Sequence, residues 1–302
     1  MAIIGMGPRI GVSLAHKFGR EGYRIGLVSR NQKSLDKYVK ELANLGIESV
    51  GFAADVHDRP GLQSAIEKIV EHFGPIDVLE YSPMLDDYSL VDVMRLDVEN
   101  AQYQLDMQLH GAITAVRTVV NDMIKKGDGA LLFTLGVTAN LPGPSHSNGA
   151  IGVAALRHYA IMLNMTLKFK GIYVGTISIG KDHIGDEIAD IYWEKMHKRE
   201  SCETIYGDPR IHGAYEVLTA MGIGQIFPPR LTGVLPKPQN EKERHTFLVA
   251  LNHAADCARL LGAEGPAEIR RLEELAKAIG GDINAEFWGG DLDQCFPPMV
   301  TF

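Results

Sequence analysis

Two short clusters in this chain carry groups that could pass a proton. Ser145, His146 and Ser147 lie in a loop rich in Gly, Pro, Ser and Asn, residues 136 to 148. Lys181, Asp182 and His183 directly follow Gly180, at the end of an apolar run. Imidazole, ammonium and carboxylate can each act as general acid or base, and imidazole titrates nearest neutrality. His146, Lys181 and Asp182 are therefore the candidate catalytic residues, against the plainer reading of 181–183 as a solvated turn. Tyr81 and Tyr88 are further hydroxyls near a strand end, better read as packing residues. A third stretch carries little acid–base chemistry but could hold phosphates: Gly5-Met6-Gly7-Pro8-Arg9-Ile10-Gly11. Glycines without Cβ let backbone and pyrophosphate approach, and a helix starting near Arg9 points its N–H groups at the anion. Gly5, Pro8, Arg9, Ile10 and Gly11 are candidate contacts.

These residues need elements to bring them together. Ala2-Ile3-Ile4 reads as a strand, and Val12, Leu14, Ala15 and Phe18 mark one side of a helix closed by Gly22. A second apolar run, Tyr23 to Val28, ends in Ser29-Arg30-Asn31. This is a βαβ unit able to hold a dinucleotide, with Ser29, Arg30 and Asn31 delivered to the adenosine ribose. The spacing predicts a helix over 33–45, a strand over 49–54, a helix over 60–73 and a strand over 76–81. A long helix over 99–125, a strand over 130–134, a helix over 149–169 and a strand over 171–179 follow. About six alternations imply an α/β fold, a Rossmann-type doubly wound parallel sheet covered on both faces. Strand ends in such a sheet face the ligand, which adds Ser82, Pro83, Thr134 and Gly180 to the candidate cofactor contacts.

The chain has 302 residues and a net charge of −8, so it shows no basic footprint for nucleic acid. No run of about 18 apolar residues and no leader pattern is apparent, so no membrane partner is expected. Three widely spaced cysteines, Cys202, Cys257 and Cys295, suit a reducing cytoplasm better than a disulfide framework. His253 and Cys257 have metal-compatible spacing on an expected helix, but no second pair accompanies them, and no metal site is expected. Residues 207–302 open with a Pro-rich linker. Helical patterns over 241–261 and 266–279 follow, then an aromatic tail over 287–302. The sequence thus divides into a dinucleotide-binding domain, 1–206, and a small helical C-terminal appendage, 207–302.

Residues 1 to about 206 resemble the short-chain dehydrogenase/reductase family. Gly5 and Gly11 match two of the family's three turn glycines, while the middle one falls on Arg9. Ala54-Asp55-Val56 matches its adenine-binding Asp-Val. Gly74-Pro75-Ile76-Asp77-Val78-Leu79 matches the run into its Asn-Asn-Ala-Gly turn, which here reads Glu80-Tyr81-Ser82-Pro83. Leu109-His110-Gly111, Gly129-Ala130-Leu131-Leu132-Phe133 and Gly171-Ile172-Tyr173-Val174 fit its central helix and fifth and sixth strands. The resemblance implies a nicotinamide cofactor, a small-molecule substrate and pairing through helices matching 99–125 and 149–169, hence a homodimer or homotetramer.

The resemblance also implies a serine, a tyrosine, a lysine four residues on, and an asparagine. By spacing these fall on Gly136, Gly149, Val153 and Gln108, and no Tyr-x-x-x-Lys occurs between residues 136 and 170. Glycine and valine cannot transfer protons. Two functions remain open. One is an NADP(H)-dependent oxidoreductase with a non-standard proton donor, His146 or the 181–183 cluster. The other is a scaffold without redox chemistry: a cyclase, an isomerase or a regulatory nucleotide- or metabolite-binding protein. NADP(H) is favoured over NAD(H), because the end of strand two offers Ser29 and Arg30 where NAD-preferring domains carry a carboxylate.

Overall fold

The computed structural model describes residues 1–83, 91, 93–140, 146–179 and 185–207, together with Arg270, Glu273, Glu274 and Lys277. The chain divides after Pro209 into two units, and the first carries the fold described below. The expected helices over 241–261 and 266–279, the tail, and the His253–Cys257 pair lie in the second, outside the described residues apart from those four isolated positions.

Seven strands form one all-parallel sheet in the order β3-β2-β1-β4-β5-β6-β7. They are β1 (Ala2–Ile4), β2 (Ile25–Ser29), β3 (Ser49–Ala53), β4 (Val78–Tyr81), β5 (Gly129–Gly136), β6 (Ile172–Ile179) and β7 (Glu203–Tyr206). The helices are α1 (Ile10–Arg20), α2 (Gln32–Asn44), α3 (Arg59–Phe73), α4 (Val98–Leu105), α5 (Gly111–Lys126), α6 (Ser147–Leu167) and α7 (Gly185–Lys198). The strand order turns outward in both directions from the β1–β4 pair, which opens a crevice at their carboxyl ends.

The strand period of two explains the two cores. Ala2, Ile4, Leu79, Tyr81, Leu131 and Phe133 point toward α3, α5 and α6. Ile3, Val78, Ala130, Leu132 and Ile177 point the other way, toward α1, α2 and α7. On α1 the stripe Leu14, Ala15 and Phe18 is fully buried, as its spacing predicts. Each large side chain there contributes about 2 kcal/mol through removal from water. Local signals set the ends. Asn31 and Asp58 cap α2 and α3 by accepting from Ser34 and Gly61 backbone N–H groups. Gly127, at φ 72°, closes α5 in the left-handed conformation.

Three features depart from the expectation. The single long helix over 99–125 is two helices joined by a π turn at Asp106–His110, closed by the Gly111 N–H on the Asp106 carbonyl. The seventh strand was not expected. Its residues Glu203–Tyr206 are only half-buried at the sheet edge, so no apolar run announces them. Arg157 of α6 holds it through Glu203 at 2.6 Å. Finally, the stretch Ser147–Lys170 is long and apolar enough by composition to cross a membrane, yet Gly152, Val153, Leu156 and Ala160 bury one side of it against the sheet. Arg157, His158 and Asn164 interrupt the apolar run, which is why the sequence shows no continuous one.

Candidate dinucleotide-binding and active site

The crevice begins at Gly5. Its N–H and that of Met6 both donate to the Val28 carbonyl, at 3.0 and 2.9 Å, which ties the turn to β2. Gly5 has φ 101°, and a Cβ there would lie 2.6 Å from the Ser82 carbonyl oxygen and the Pro83 nitrogen. Only glycine fits, and the β1 turn and the end of β4 meet backbone to backbone. Gly11 packs on Met6, where a Cβ would stand 2.9 Å from the sulfur. Arg9 is the N-cap residue of α1 and gives it no side-chain cap, and the first turn holds no carboxylate. A glycine cradle at an acid-free helix N-terminus suits an anionic pyrophosphate.

At the adenosine side, the Ser29 carbonyl accepts from the Ala54 N–H at 3.0 Å, which sets the ends of β2 and β3 side by side. Arg30 lies near enough to lower the Asp55 pKa. Burial is the largest single influence on Asp55 and acts in the opposite sense, but the His57 hydrogen bonds together with the His57 and Arg30 charges outweigh it. The Asp55 carboxylate accepts from the His57 N–H and meets Nδ1, both at 2.9 Å. The His57 ring in turn stacks on Tyr103 of α4, centroids 4.1 Å apart. Val56 is buried beneath. The Asn31 side-chain oxygen is engaged in capping α2, so what its side chain can offer a ribose is the Nδ2 amide.

At the other side, β5 ends in Gly136, where a Cβ would be 3.4 Å from the Thr138 hydroxyl oxygen. His146 precedes the first turn of α6 and gives it no side-chain cap. That helix is anchored by the Val91 backbone: its carbonyl accepts from the Ser147 N–H and hydroxyl, and its N–H donates to the Asn148 side chain. Gly149 is buried, and Val153 packs in the core with Leu156 and Ala160. Gly152 lets α6 touch α4, since a Cβ there would be 3.0 Å from the Gln104 carbonyl and 3.1 Å from Cγ of Gln108. Gln104 is fully buried with both amide atoms unpartnered, and Asn148 Nδ2 and Asn140 Oδ1 are likewise unpartnered. Buried amide atoms without partners are costly, so this end has unused hydrogen-bonding capacity. Ser145, Gly180, Lys181, Asp182 and His183 lie outside the described residues, as does Tyr88.

The turn after β4 accounts for Tyr81 and Ser82. Tyr81 is fully buried, and its hydroxyl donates to the Met107 carbonyl at 2.5 Å, within the π turn. Gly111 leaves room for that hydroxyl. The packing role expected of Tyr81 is the one observed. Sequence reasoning missed its neighbour Glu80, read only as a departure from a turn pattern. Glu80 is fully buried in the middle of the sheet, and burial pushes its pKa up to about 8. Its carboxyl accepts from the Ser82 hydroxyl at 3.0 Å and the Thr134 hydroxyl at 2.9 Å. Thr134 reaches on to the Tyr192 hydroxyl of α7 at 3.0 Å. The Thr134 side chain thus serves this network. A lone glutamate inside the apolar strand 78–81 was the available signal.

Residues 1–181 match the model of the family described as short chain dehydrogenase. A 3-oxoacyl-[acyl-carrier-protein] reductase FabG of Staphylococcus aureus is 22% identical over 195 residues, 62% of this chain and 78% of its own. Oxidoreductase UcpA of Salmonella typhimurium is 26% identical over 179 residues, 59% of this chain and 67% of its own. Among solved structures, a metagenomic short-chain oxidoreductase in complex with NADP superimposes with a TM-score of 0.62 at 18% identity. It covers 68% of this chain and 95% of its own.

Proposed function

The chain belongs to the short-chain dehydrogenase family, and from that premise we propose that it is an NADP(H)-dependent oxidoreductase acting on a small molecule without the family's serine, tyrosine and lysine. The observation that carries the reading is the glycine turn at the acid-free N-terminus of α1, with Gly5 packed on the Ser82 backbone and Ser29 and Arg30 at the neighbouring end of β2. That cradle fits a dinucleotide. A hydroxyl and a guanidinium at the end of β2, with no carboxylate between them, suit a 2′-phosphate. The bound nicotinamide would supply the hydride. The chain's own residues then have three tasks. Gly5 and Gly11 admit the pyrophosphate, Arg30 neutralises the adenosine phosphate, and a group at the mouth moves the proton.

For that last task the reading assigns His146, at the start of α6, with Lys181 and Asp182 as the other candidates. Gly136, Gly149 and Val153 stand where the resemblance implies hydroxyls and an ammonium, so the substrate must need little acid catalysis, as an iminium or other pre-activated acceptor would. The same three positions favour a second reading, in which the cradle binds a nucleotide or metabolite without redox turnover. The exposed stripe Ile151, Met162 and Met165 on α6, continued by Phe169 in the turn after it, supports self-association as a dimer. A fluorescence titration tests the cofactor reading: NADPH binds in the micromolar range and more tightly than NADH. No binding by high micromolar NADPH would sink it. With binding in hand, His146→Ala lowers turnover of a carbonyl or iminium panel. Binding without turnover of any acceptor supports the second reading.

A further inference from the structure

Glu80 is the one fully buried carboxyl among the described residues, and no cation among them pairs with it. It lies opposite Ile3 of β1 and Leu132 of β5, both fully buried. The groups that face it with hydroxyls are Ser82 on its own strand, Thr134 on β5 and Tyr192 on α7 beyond Thr134. Of these only Tyr192 is titratable, and burial holds that phenol well above its ordinary range, as it does Tyr173 nearby. A charge at Glu80 would therefore go uncompensated. Held neutral, the carboxyl has one proton to give, and only two neighbours can take it.

Those two neighbours are not equivalent. Thr134 already has a use for both its roles: it can accept from Tyr192 and donate to Glu80. Ser82 has no second protein partner for its hydroxyl among the hydrogen bonds described. The backbone of Ser82 packs against Gly5 and its N–H donates to the Ile4 carbonyl, which places Ser82 at the carboxyl ends of β1 and β4, where the dinucleotide reading puts the cofactor. When Glu80 is neutral, it donates to Ser82 Oγ, and the Ser82 O–H is free to donate upward. When Glu80 is ionised, it draws the Ser82 O–H down to itself and leaves oxygen lone pairs facing the crevice.

We propose that Glu80 is a positioning residue that, by keeping its proton, turns the Ser82 hydroxyl into a donor toward the bound dinucleotide, and that loss of this proton weakens dinucleotide binding. No bond other than O–H is made or broken, and the proton exchanges with solvent. The inference rests on the cofactor reading above. Its substance is separate, since a cradle of glycines and Arg30 could bind a dinucleotide with any residue at position 80. The raised titration of Glu80 places the change near pH 8.

The test is the Kd of NADPH by fluorescence from pH 6.5 to 9.5, with NADH in parallel because it lacks the 2′-phosphate. Wild type should bind about ten-fold more weakly at pH 9.5 than at pH 7, the size of one charge-assisted hydrogen bond. Both dinucleotides should show the same trend. Glu80→Gln should bind as wild type does at pH 7 and stay flat, because the amide donates to Ser82 and cannot ionise. Ser82→Ala, which alters only a half-buried side chain at the crevice, should bind weakly and also stay flat. If wild type and both variants share one pH profile, the role of Glu80 is overturned and the cofactor reading stands. If Glu80→Gln does not fold, Ser82→Ala decides alone, and a full pH dependence in it overturns the proposal. Failure of wild type to bind either dinucleotide at pH 6.5 overturns the cofactor reading and this inference together.

Discussion

The two sides of the β1–β4 crevice have been treated differently by the sequence. On the β1-β2-β3 side, backbone does the work. Gly5 is fixed by its conformation and by the Ser82 backbone, Gly11 by Met6, and the ends of β2 and β3 by their register. On the β4-β5-β6 side, side chains would have to do the chemistry, and the positions that the resemblance assigns to it hold Gly136, Gly149 and Val153. Side-chain function can be removed without cost to the fold, since Val153 simply joins the core. Backbone function cannot, because the same atoms hold β1 against β4. A backbone cradle is therefore harder to lose than the side chains beside it.

That comparison can be broken in several places. Gly5→Val should have the largest effect, because it combines positive φ with a clash against backbone that cannot move aside. Soluble yield and NADPH binding should both be lost; binding within three-fold of wild type would mean that the crevice is not where we place it. Val153→Lys comes next. It returns an ammonium to the family's position but buries a charge among Leu156 and Ala160, at a cost of about 3 kcal/mol. Its melting temperature should fall by roughly 8 °C, and an unchanged value would show that this position accommodates an ammonium.

Glu80 gives an effect of similar size, but one that depends on pH. The carboxyl titrates near 4.5 when the chain is unfolded and near 8 when folded. Between those values the unfolded chain releases a proton that the folded chain keeps. The contribution is thus fully present below pH 4.5 and is lost as the pH rises toward 8. Glu80→Gln is exempt, so its melting temperature should gain on wild type by about 9 °C between pH 5 and pH 8, then level off above about pH 9. A lead that does not change with pH would mean that Glu80 is ionised throughout. Smallest is Arg30→Ala. It should weaken NADPH binding about ten-fold and leave NADH unchanged, the loss of one charge-assisted contact. Equal losses for both cofactors would remove the basis for preferring the phosphorylated one.

Much of the fold was legible because periodicity reports burial. The stripe on α1 and the glycine stops are local, and a local signal survives in one dimension. β7 was not legible, since an edge strand that buries little shows no apolar run. The π turn at 106–110 was not legible either, because it depends on a hydroxyl from Tyr81, about 26 residues away in the chain, reaching the Met107 carbonyl. The site divides in the same way. The Gly5 turn and the place of Arg30 just after β2 were legible from spacing within one βαβ unit. The engagement of Asn31 in a cap and of Thr134 in a buried network could not.

The sequence by itself determined a parallel α/β sheet with a glycine-lined crevice, because turn conformation and strand–helix alternation are properties of neighbouring residues. Only the tertiary structure decided what Glu80 is. In the sequence it is an acidic residue in a strand of four. In the fold, β1 and β5 exclude water from both sides, Thr134 and Ser82 converge on its oxygens, and the carboxyl is left with a proton that solvent would have taken. Burial and convergence join residues from distant parts of the chain, and no reading of neighbours along it contains them.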